Sequence, residues 1–201
     1  MAAGLDGLLK EVRSCRICMA PPKPLPHDPR PVLQAGARAR LLIAGQAPGV
    51  RVHASGRPFT DPSGDRLRDW LGLDAETFYD PGRVAILPMG FCFPGLDAKG
   101  SDLPPRRECA PAWRARLLAE LQKIELVVCL GAHAMRWHMG TAWAGAVDAT
   151  VKTWRAGLDL LPPVIPLPHP SWRNSGWLKR NPWFAAELVP ELRARVAKLT
   201  A

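Results

Sequence analysis

The chain has 201 residues, a length that fits a single domain with a sizeable core. Its 27 Lys and Arg residues outnumber 18 Asp and Glu residues, and the net charge of +9 favours a polyanionic partner. A solvated basic surface without a partner is the alternative. No apolar run approaches the roughly 18 residues of a membrane span, and the N-terminal segment is too polar for a secretory signal. We therefore expect one domain over residues 1–201 that lies in the cytoplasm, away from membranes, and has no disulfides.

Four short apolar runs alternate with segments of helical pattern along the chain. Strands are predicted at residues 40–44, 83–89, 125–130 and 164–167. Helices are predicted at residues 5–13, 63–73, 107–123, 132–139 and 182–198. Strands that alternate with helices form βαβ units. We therefore expect an α/β fold, a three-layer α/β/α sandwich around a short, mainly parallel four-stranded sheet.

Two of the predicted strands end in turns that contain proline. The first strand runs into GQAPG at residues 45–49, and the fourth runs into HPSWRN at residues 169–174. Open parallel sheets bind ligands beyond the carboxyl ends of their strands, where such turns present backbone N–H groups and side chains. We expect both segments to converge at the same edge of the sheet and to form one site.

The combination of GQAPG, GRPF at residues 56–59 and HPSWRN resembles the uracil-DNA glycosylase superfamily. Members of that superfamily carry a G-x-x-P-x motif early in the chain and an H-P-S-type motif late. The resemblance implies a DNA-repair glycosylase that flips uracil out of DNA and hydrolyses its N-glycosidic bond, leaving an abasic site. It also implies uracil-containing DNA as the partner, and we expect the protein to be a monomer.

The resemblance assigns roles to individual residues. Phe59 matches the aromatic residue that stacks on uracil, although a core phenylalanine is the alternative. His169 matches the histidine that donates a hydrogen bond to uracil O2. The other residues expected to bind the base are Gly45, Gln46, Ala47, Pro48, Gly49 and Asn174, the last of which has a structural role as its alternative. The residues expected to contact DNA are Ser63 and Ser171, at phosphates, and Trp172 or Arg173, where relatives insert a wedge into the base stack.

Several departures from the family pattern concern the attacking water and the choice of base. Ala47 stands where the best-known branch has an aspartate that positions the water, and His53 lies where the iron–sulfur branch usually has an acidic residue. Residues 87–90 replace the asparagine that reads the uracil edge, and Gly49 replaces the tyrosine that excludes thymine. The nearest candidates for a catalytic role toward water are His53 and Asp61, each of which would otherwise be an ordinary loop residue.

Four of the five cysteines could together form a metal site, since four thiolates are the usual ligand set of a [4Fe–4S] cluster or a structural zinc ion. Cys15 and Cys18 form a C-x-x-C pair, and Cys92 and Cys109 flank the long loop at residues 93–106. This arrangement resembles the iron–sulfur, family 4-like branch of the same superfamily, which implies a structural [4Fe–4S] cluster held by the four thiolates. Zinc and four unligated thiols are the alternatives. Cys129, inside an apolar run, is expected to be a core residue.

Two other classes of function are compatible with parts of the sequence. A non-hydrolytic protein that binds uracil or abasic sites would use the same fold, and Ala47 favours it because alanine cannot position a water molecule. An iron–sulfur electron carrier would account for the cysteines but would leave GQAPG and HPSWRN without a role.

Overall fold

The computed structural model describes residues 4–200, and its central element is a four-stranded parallel sheet. The strands are β1 (Leu41–Ala44), β2 (Val84–Ile86), β3 (Leu126–Leu130) and β4 (Val164–Leu167), in the order β2-β1-β3-β4. Every residue of these strands is buried, as expected when helices cover both faces of a parallel sheet. The parallel registers bring the carboxyl ends of all four strands to one edge.

Helices flank the sheet and bury its faces. They are α1 (Leu5–Arg13), α2 (Val50–Ser55), α3 (Pro62–Leu71), α4 (Ala75–Phe78), α5 (Cys109–Glu120), α6 (Ala132–His138), α7 (Val147–Lys152), α8 (Ser175–Arg180) and α9 (Val189–Thr200). Helix α6 packs on β3, α7 packs on β4 and α9 packs on β1, while α1 contacts α5 and α3 contacts α9. The predicted α/β sandwich is therefore confirmed. Among residues 4–200, no helix is both long enough and apolar enough to cross a membrane.

The second strand and the last helix differ from their predicted extents. Strand β2 ends at Ile86 and not at residue 89, although the N–H groups of Leu87 and Met89 still donate to the carbonyls of Ile43 and Gly45. The segment predicted as one helix consists of a π-helix at Phe184–Leu188 that continues into α9. Pro190 lies in the first turn of α9 and has no N–H to donate a regular α-helical hydrogen bond. The π-helical turn at Phe184–Leu188 directly precedes it.

Hydrogen bonds beyond the strand ends hold the GQAPG segment in place. The N–H of Met89 donates to the carbonyl of Gly45 at 2.9 Å, and the N–H of Gly90 donates to the carbonyl of Gln46 at 2.9 Å. These bonds continue the pairing of β1 with β2 past Ile86. The first two residues of the segment after β1 are consequently anchored at the edge of the sheet where a ligand would bind.

Candidate active site

A cavity of about 330 Å³ lies at the carboxyl edge of the sheet. GQAPG forms one wall of it, and Phe59, Asp61 and Ser63 form another. His169, which follows β4, and Asp102, from the long loop, complete the lining. The volume is in the range of sites that bind small molecules. The fold therefore brings the early and late sequence motifs together, as their positions after two parallel strands predict.

Phe59 is held in an unusual backbone conformation. Its φ angle is 54°, and among the described residues Phe59 is the one non-glycine residue with a positive φ angle. The carbonyl of Phe59 accepts hydrogen bonds from the Tyr79 hydroxyl at 3.0 Å and from Arg68 at 3.3 Å. Gly64 lies so close that a Cβ atom there would be 1.9 Å from the same carbonyl oxygen. The surrounding contacts thus impose a strained conformation, a feature typical of functional sites.

The ring of Phe59 is a flat wall of the cavity. It packs edge-on against Phe78 with the ring centroids 6.0 Å apart, and its Cζ atom is 3.8 Å from the Cβ position of Gly45. Phe59 is half-buried, so part of the ring remains open to a ligand. An aromatic ring held in this way can stack on a planar heterocycle.

His169 is fixed by its immediate neighbours in the chain. The N–H of Ser171 donates to Nδ1 of His169 at 3.2 Å, and the side-chain amide of Asn174 donates to the carbonyl of His169 at 2.7 Å. Loss of hydration lowers the pKa of His169, while Asp61 and Asp102 oppose the shift. Because Nδ1 accepts a hydrogen bond, the neutral ring carries its proton on Nε2. His169 can therefore donate a hydrogen bond as a neutral group, and Ser171 and Asn174 orient it.

Asp61 and Ser63 line the cavity but also form the start of helix α3. The carboxylate of Asp61 accepts hydrogen bonds from the Ser63 hydroxyl at 2.7 Å and from the Ser63 N–H at 3.4 Å. Asp61 is thus the N-cap of α3, with Pro62 at the first helical position. One of its carboxylate oxygens is committed to this cap.

The structure does not bring His53 to the cavity. Its neighbours Arg51 and Val52 line the cavity, but the imidazole of His53 packs on His27, with ring centroids 4.2 Å apart, and on Phe93 at 5.8 Å. Its Nδ1 atom is buried without a hydrogen-bond partner among the described residues. Burial lowers the pKa of His53, and His27 and Arg30 add to the effect. His53 thus belongs to a packed cluster beside the cavity.

Asp102 is a cavity residue that sequence reasoning missed. It lies in the loop at residues 93–106, far along the chain from either motif. Its carboxylate approaches Gly49, where a Cβ atom would be 3.2 Å from Oδ2. The available signal was the length of the loop, since long loops in compact domains are often functional, together with its acidic residues.

Arg114 is a second residue that the sequence did not single out. Its side chain is fully buried in the core, and it donates hydrogen bonds to the carbonyls of Leu87 at 2.9 Å and Pro88 at 3.2 Å. It also contacts Nε2 of His138. Burial lowers the pKa of Arg114 to about 10 and that of His138 to about 3. Arg114 therefore supports the segment after β2 from below, where Pro88 lines the cavity.

The family model of the uracil DNA glycosylase superfamily matches residues 33–193, a range that contains the residues lining this cavity except Val32. The chain belongs to the uracil DNA glycosylase superfamily. The match contains both motif segments and the loop that carries Asp102.

Exposed aromatic and basic groups surround the opening of the cavity. Trp172 is 77% exposed, on a short turn that begins two residues after Pro170. Arg173 is also exposed, and Arg51 lines the cavity itself. Arg66 holds the turn by donating to the carbonyl of Ser171 at 3.1 Å. For a member of the uracil DNA glycosylase superfamily, this is a surface to which a DNA backbone is attracted.

The four cysteines that the sequence grouped line a second, small cavity. Cys15, Cys18, Cys92 and Cys109 all border it, together with apolar neighbours such as Trp113. Among residues 4–200, the side chains of His, Cys, Asp and Glu form no group of three or more placed to hold a metal ion. The four thiols thus border one cavity, but among the described residues they do not form a metal-binding group.

Hydrogen bonds and burial define the environment of these thiols. The indole N–H of Trp113 donates to Cys15 Sγ at 3.2 Å, and the N–H of Phe91 donates to Cys109 Sγ at 3.3 Å. Burial raises the pKa of Cys92 to about 11 and that of Cys109 to about 12. N–H donors directed at cysteine sulfurs are a feature of iron–sulfur sites, so the donor set fits a cluster held by four thiolates.

Proposed function

We infer that this protein is a DNA-repair glycosylase that removes uracil from DNA by hydrolysing its N-glycosidic bond. The observation that carries this proposal is the meeting of Phe59 and His169, which lie far apart in the chain, in one cavity at the edge of the sheet. Superfamily membership supports glycosylase chemistry, and the two side chains supply the groups that a flipped uracil needs.

Each group has a defined task in that reaction. The target base must leave the duplex, because its glycosidic bond is inaccessible within the base stack. Exposed Trp172 would fill the vacated space, and Arg51 and Arg173 would contact the phosphates. Phe59 would stack on the flipped base.

His169 would act on the departing base. As the C1′–N1 bond breaks, negative charge develops on uracil and positive charge on the sugar. A neutral imidazole that donates from Nε2 stabilises the charge on the uracil oxygen. Its contribution is largest in the transition state because the donor is already oriented by Ser171 and Asn174.

The test is incubation of the purified protein with single- and double-stranded oligonucleotides that carry one uracil, followed by alkaline cleavage and a denaturing gel. Matched oligonucleotides with thymine at the same position are the control. We expect cleavage at uracil only. An intact strand in a gel-shifted complex would instead indicate a protein that binds uracil without removing it.

A structural [4Fe–4S] cluster is the second part of the proposal. Cys15, Cys18, Cys92 and Cys109 would hold it, since they border one cavity and two of their sulfurs accept N–H donors. The cluster would tie the segment after α1 to the segment after β2. It would supply no chemistry to base excision, because the thiols line a different cavity from His169 and Phe59.

Measurement of iron, acid-labile sulfide and visible absorption tests the cluster. We expect iron and sulfide in equal amounts in the wild-type protein, and loss of both with a lower melting temperature in Cys92→Ser. The control is Cys129→Ala, which changes a buried cysteine of β3 outside the cavity and should retain iron. Zinc in place of iron, or no metal in freshly prepared anaerobic protein, would contradict the cluster.

A further inference from the structure

Asp102 is the cavity carboxylate that has no hydrogen-bond partner among the described residues. The other carboxylate of the lining, Asp61, accepts two hydrogen bonds from Ser63 as the cap of α3. Nδ1 of His169 accepts from the Ser171 N–H. Both hydrogen bonds to Asp61 end on Oδ2, so among residues 4–200 Asp102 is the lining carboxylate with both oxygens free to accept a hydrogen bond from water, whereas Asp61 has one.

The loop that carries Asp102 has an ordered structure of its own. Leu96 and Asp102 form an isolated antiparallel bridge across it. At its tip, the carboxylate of Asp97 accepts hydrogen bonds from the N–H groups of Lys99 at 2.8 Å and Ser101 at 2.9 Å. Asp102 thus lies at the base of a small hairpin, which fixes its backbone beside the cavity.

The carboxylate of Asp102 reaches the motif that lacks an acid of its own. Position 47 is alanine and position 49 is glycine, and Oδ2 of Asp102 lies 3.2 Å from where a Cβ atom of residue 49 would be. A side chain at position 49 would therefore be in tight contact with this carboxylate. Glycine at that position therefore makes room for a carboxylate that comes from a distant part of the chain.

The charged groups that face Asp102 are Arg173, His169 and Asp61. Partial burial raises the pKa of Asp102, Asp61 raises it further, and Arg173 and His169 oppose the shift. A carboxylate with a raised pKa is a better proton acceptor than one in water, and the Arg173 guanidinium favours the charged form of Asp102.

We propose that Asp102 is the catalytic residue that positions and deprotonates the attacking water, a role that rests on the proposed uracil excision. The C1′–N1 bond breaks and its electron pair goes to N1 of uracil. The water oxygen forms the new bond to C1′ while one water proton passes to the Asp102 carboxylate. That proton is then released to solvent, and the uracil anion takes up a proton after it leaves. No oxidant or further reactant is required.

The experiment measures single-turnover excision from a single-stranded oligonucleotide with one uracil, from roughly pH 4 to roughly pH 9. We expect Asp102→Asn to lower the rate at neutral pH by about 10²–10⁴-fold. The wild-type rate should fall as acid protonates the carboxylate, and this acid limb should be absent in Asp102→Asn. Asp102→Glu should restore part of the rate together with the acid limb.

Affinity and a distant variant provide the controls. Binding of an oligonucleotide with a tetrahydrofuran abasic-site analogue should not weaken in Asp102→Asn, because the change removes a negative charge from a DNA-binding site. Glu76→Gln, an exposed change on α4 outside the cavity, should match the wild type in rate and pH profile.

Two results would overturn the role of Asp102 while leaving the proposed function intact. The first is a wild-type rate and acid limb in Asp102→Asn. The second is an equal loss of rate and affinity with an unchanged pH profile, which would assign Asp102 to loop structure alone. If the wild-type protein releases no uracil, the proposed function fails, and the role of Asp102 fails with it.

Discussion

Replacement of Gly64 by alanine places a methyl group where the structure has no room for one. The new Cβ atom would lie 1.9 Å from the carbonyl oxygen of Phe59, 2.7 Å from its carbonyl carbon and 2.9 Å from its Cβ. All three atoms belong to a residue whose backbone is already strained at a φ of 54°. Helix α3 and Phe59 must therefore move apart by about 1 Å or more to relieve the contact.

The structure allows the size of the effect to be worked out. Overpacking of this kind costs about 1–3 kcal/mol, and in a domain of this length each kcal/mol corresponds to about 2–4 °C in melting temperature. We expect Gly64→Ala to lower the melting temperature by roughly 2–12 °C. The ring of Phe59 would shift with its backbone, and a misplacement of about 1 Å costs on the order of 10²-fold in rate.

Thermal unfolding and single-turnover uracil release measure the two effects separately. The matched control is Gly4→Ala, because a Cβ atom at Gly4 meets nothing within 4 Å and its φ of −57° suits alanine. That variant should stay within about 0.5 kcal/mol of the wild type and retain its rate. Wild-type stability and rate in Gly64→Ala would refute the reasoning, since the close approach of α3 to Phe59 would then be absent in solution.

Two further variants test other parts of the molecule. His169→Ala removes the Nε2 donor, so uracil release should fall by about 10²–10³-fold while the melting temperature stays within a few degrees; an unchanged rate would remove His169 from the mechanism. His138 is half-buried beside Arg114 with a pKa of about 3, so between about pH 3 and about pH 6.5 the unfolded chain binds a proton at this residue that the folded chain does not. Its contribution to stability should therefore be complete above about pH 6.5 and be lost toward about pH 3, by up to about 1.4 kcal/mol per pH unit. Urea unfolding across this range should show a shallower pH dependence in His138→Gln, and identical slopes would contradict the assignment.

The strands and the two motif segments could be predicted from the sequence because their signals are local. A strand buried on both faces is a continuous apolar run, and residues 41–44, 126–130 and 164–167 are such runs. The turns after β1 and β4 contain prolines that end the strands, so their convergence at one edge follows from parallel topology alone. The short helices α2, α4, α7 and α8 were not predicted, since elements of four to six residues have little periodicity.

His53 shows where the sequence was insufficient for the site. It is only a few residues from GQAPG along the chain, and proximity in sequence made it a candidate. In helix α2, however, Val50, Arg51 and Val52 line the cavity, while the ring of His53 packs on His27 and Phe93. Val50 is three residues before His53 and so lies near it on the helix surface, which means that helical spacing alone would not have separated the two. Without the orientation of the helix, the residue that faces the cavity cannot be identified.

The sequence by itself determined the fold class, the superfamily and the motif residues, including Phe59 of GRPF and His169 of HPSWRN. These features depend on apolar runs, turn residues and contiguous patterns, which are properties of neighbouring residues. Only the tertiary structure decided that Asp102 reaches the cavity and that Arg114 supports its floor. Both depend on contacts between residues far apart in the chain, and such contacts are set by the packing of loops and helices around the sheet.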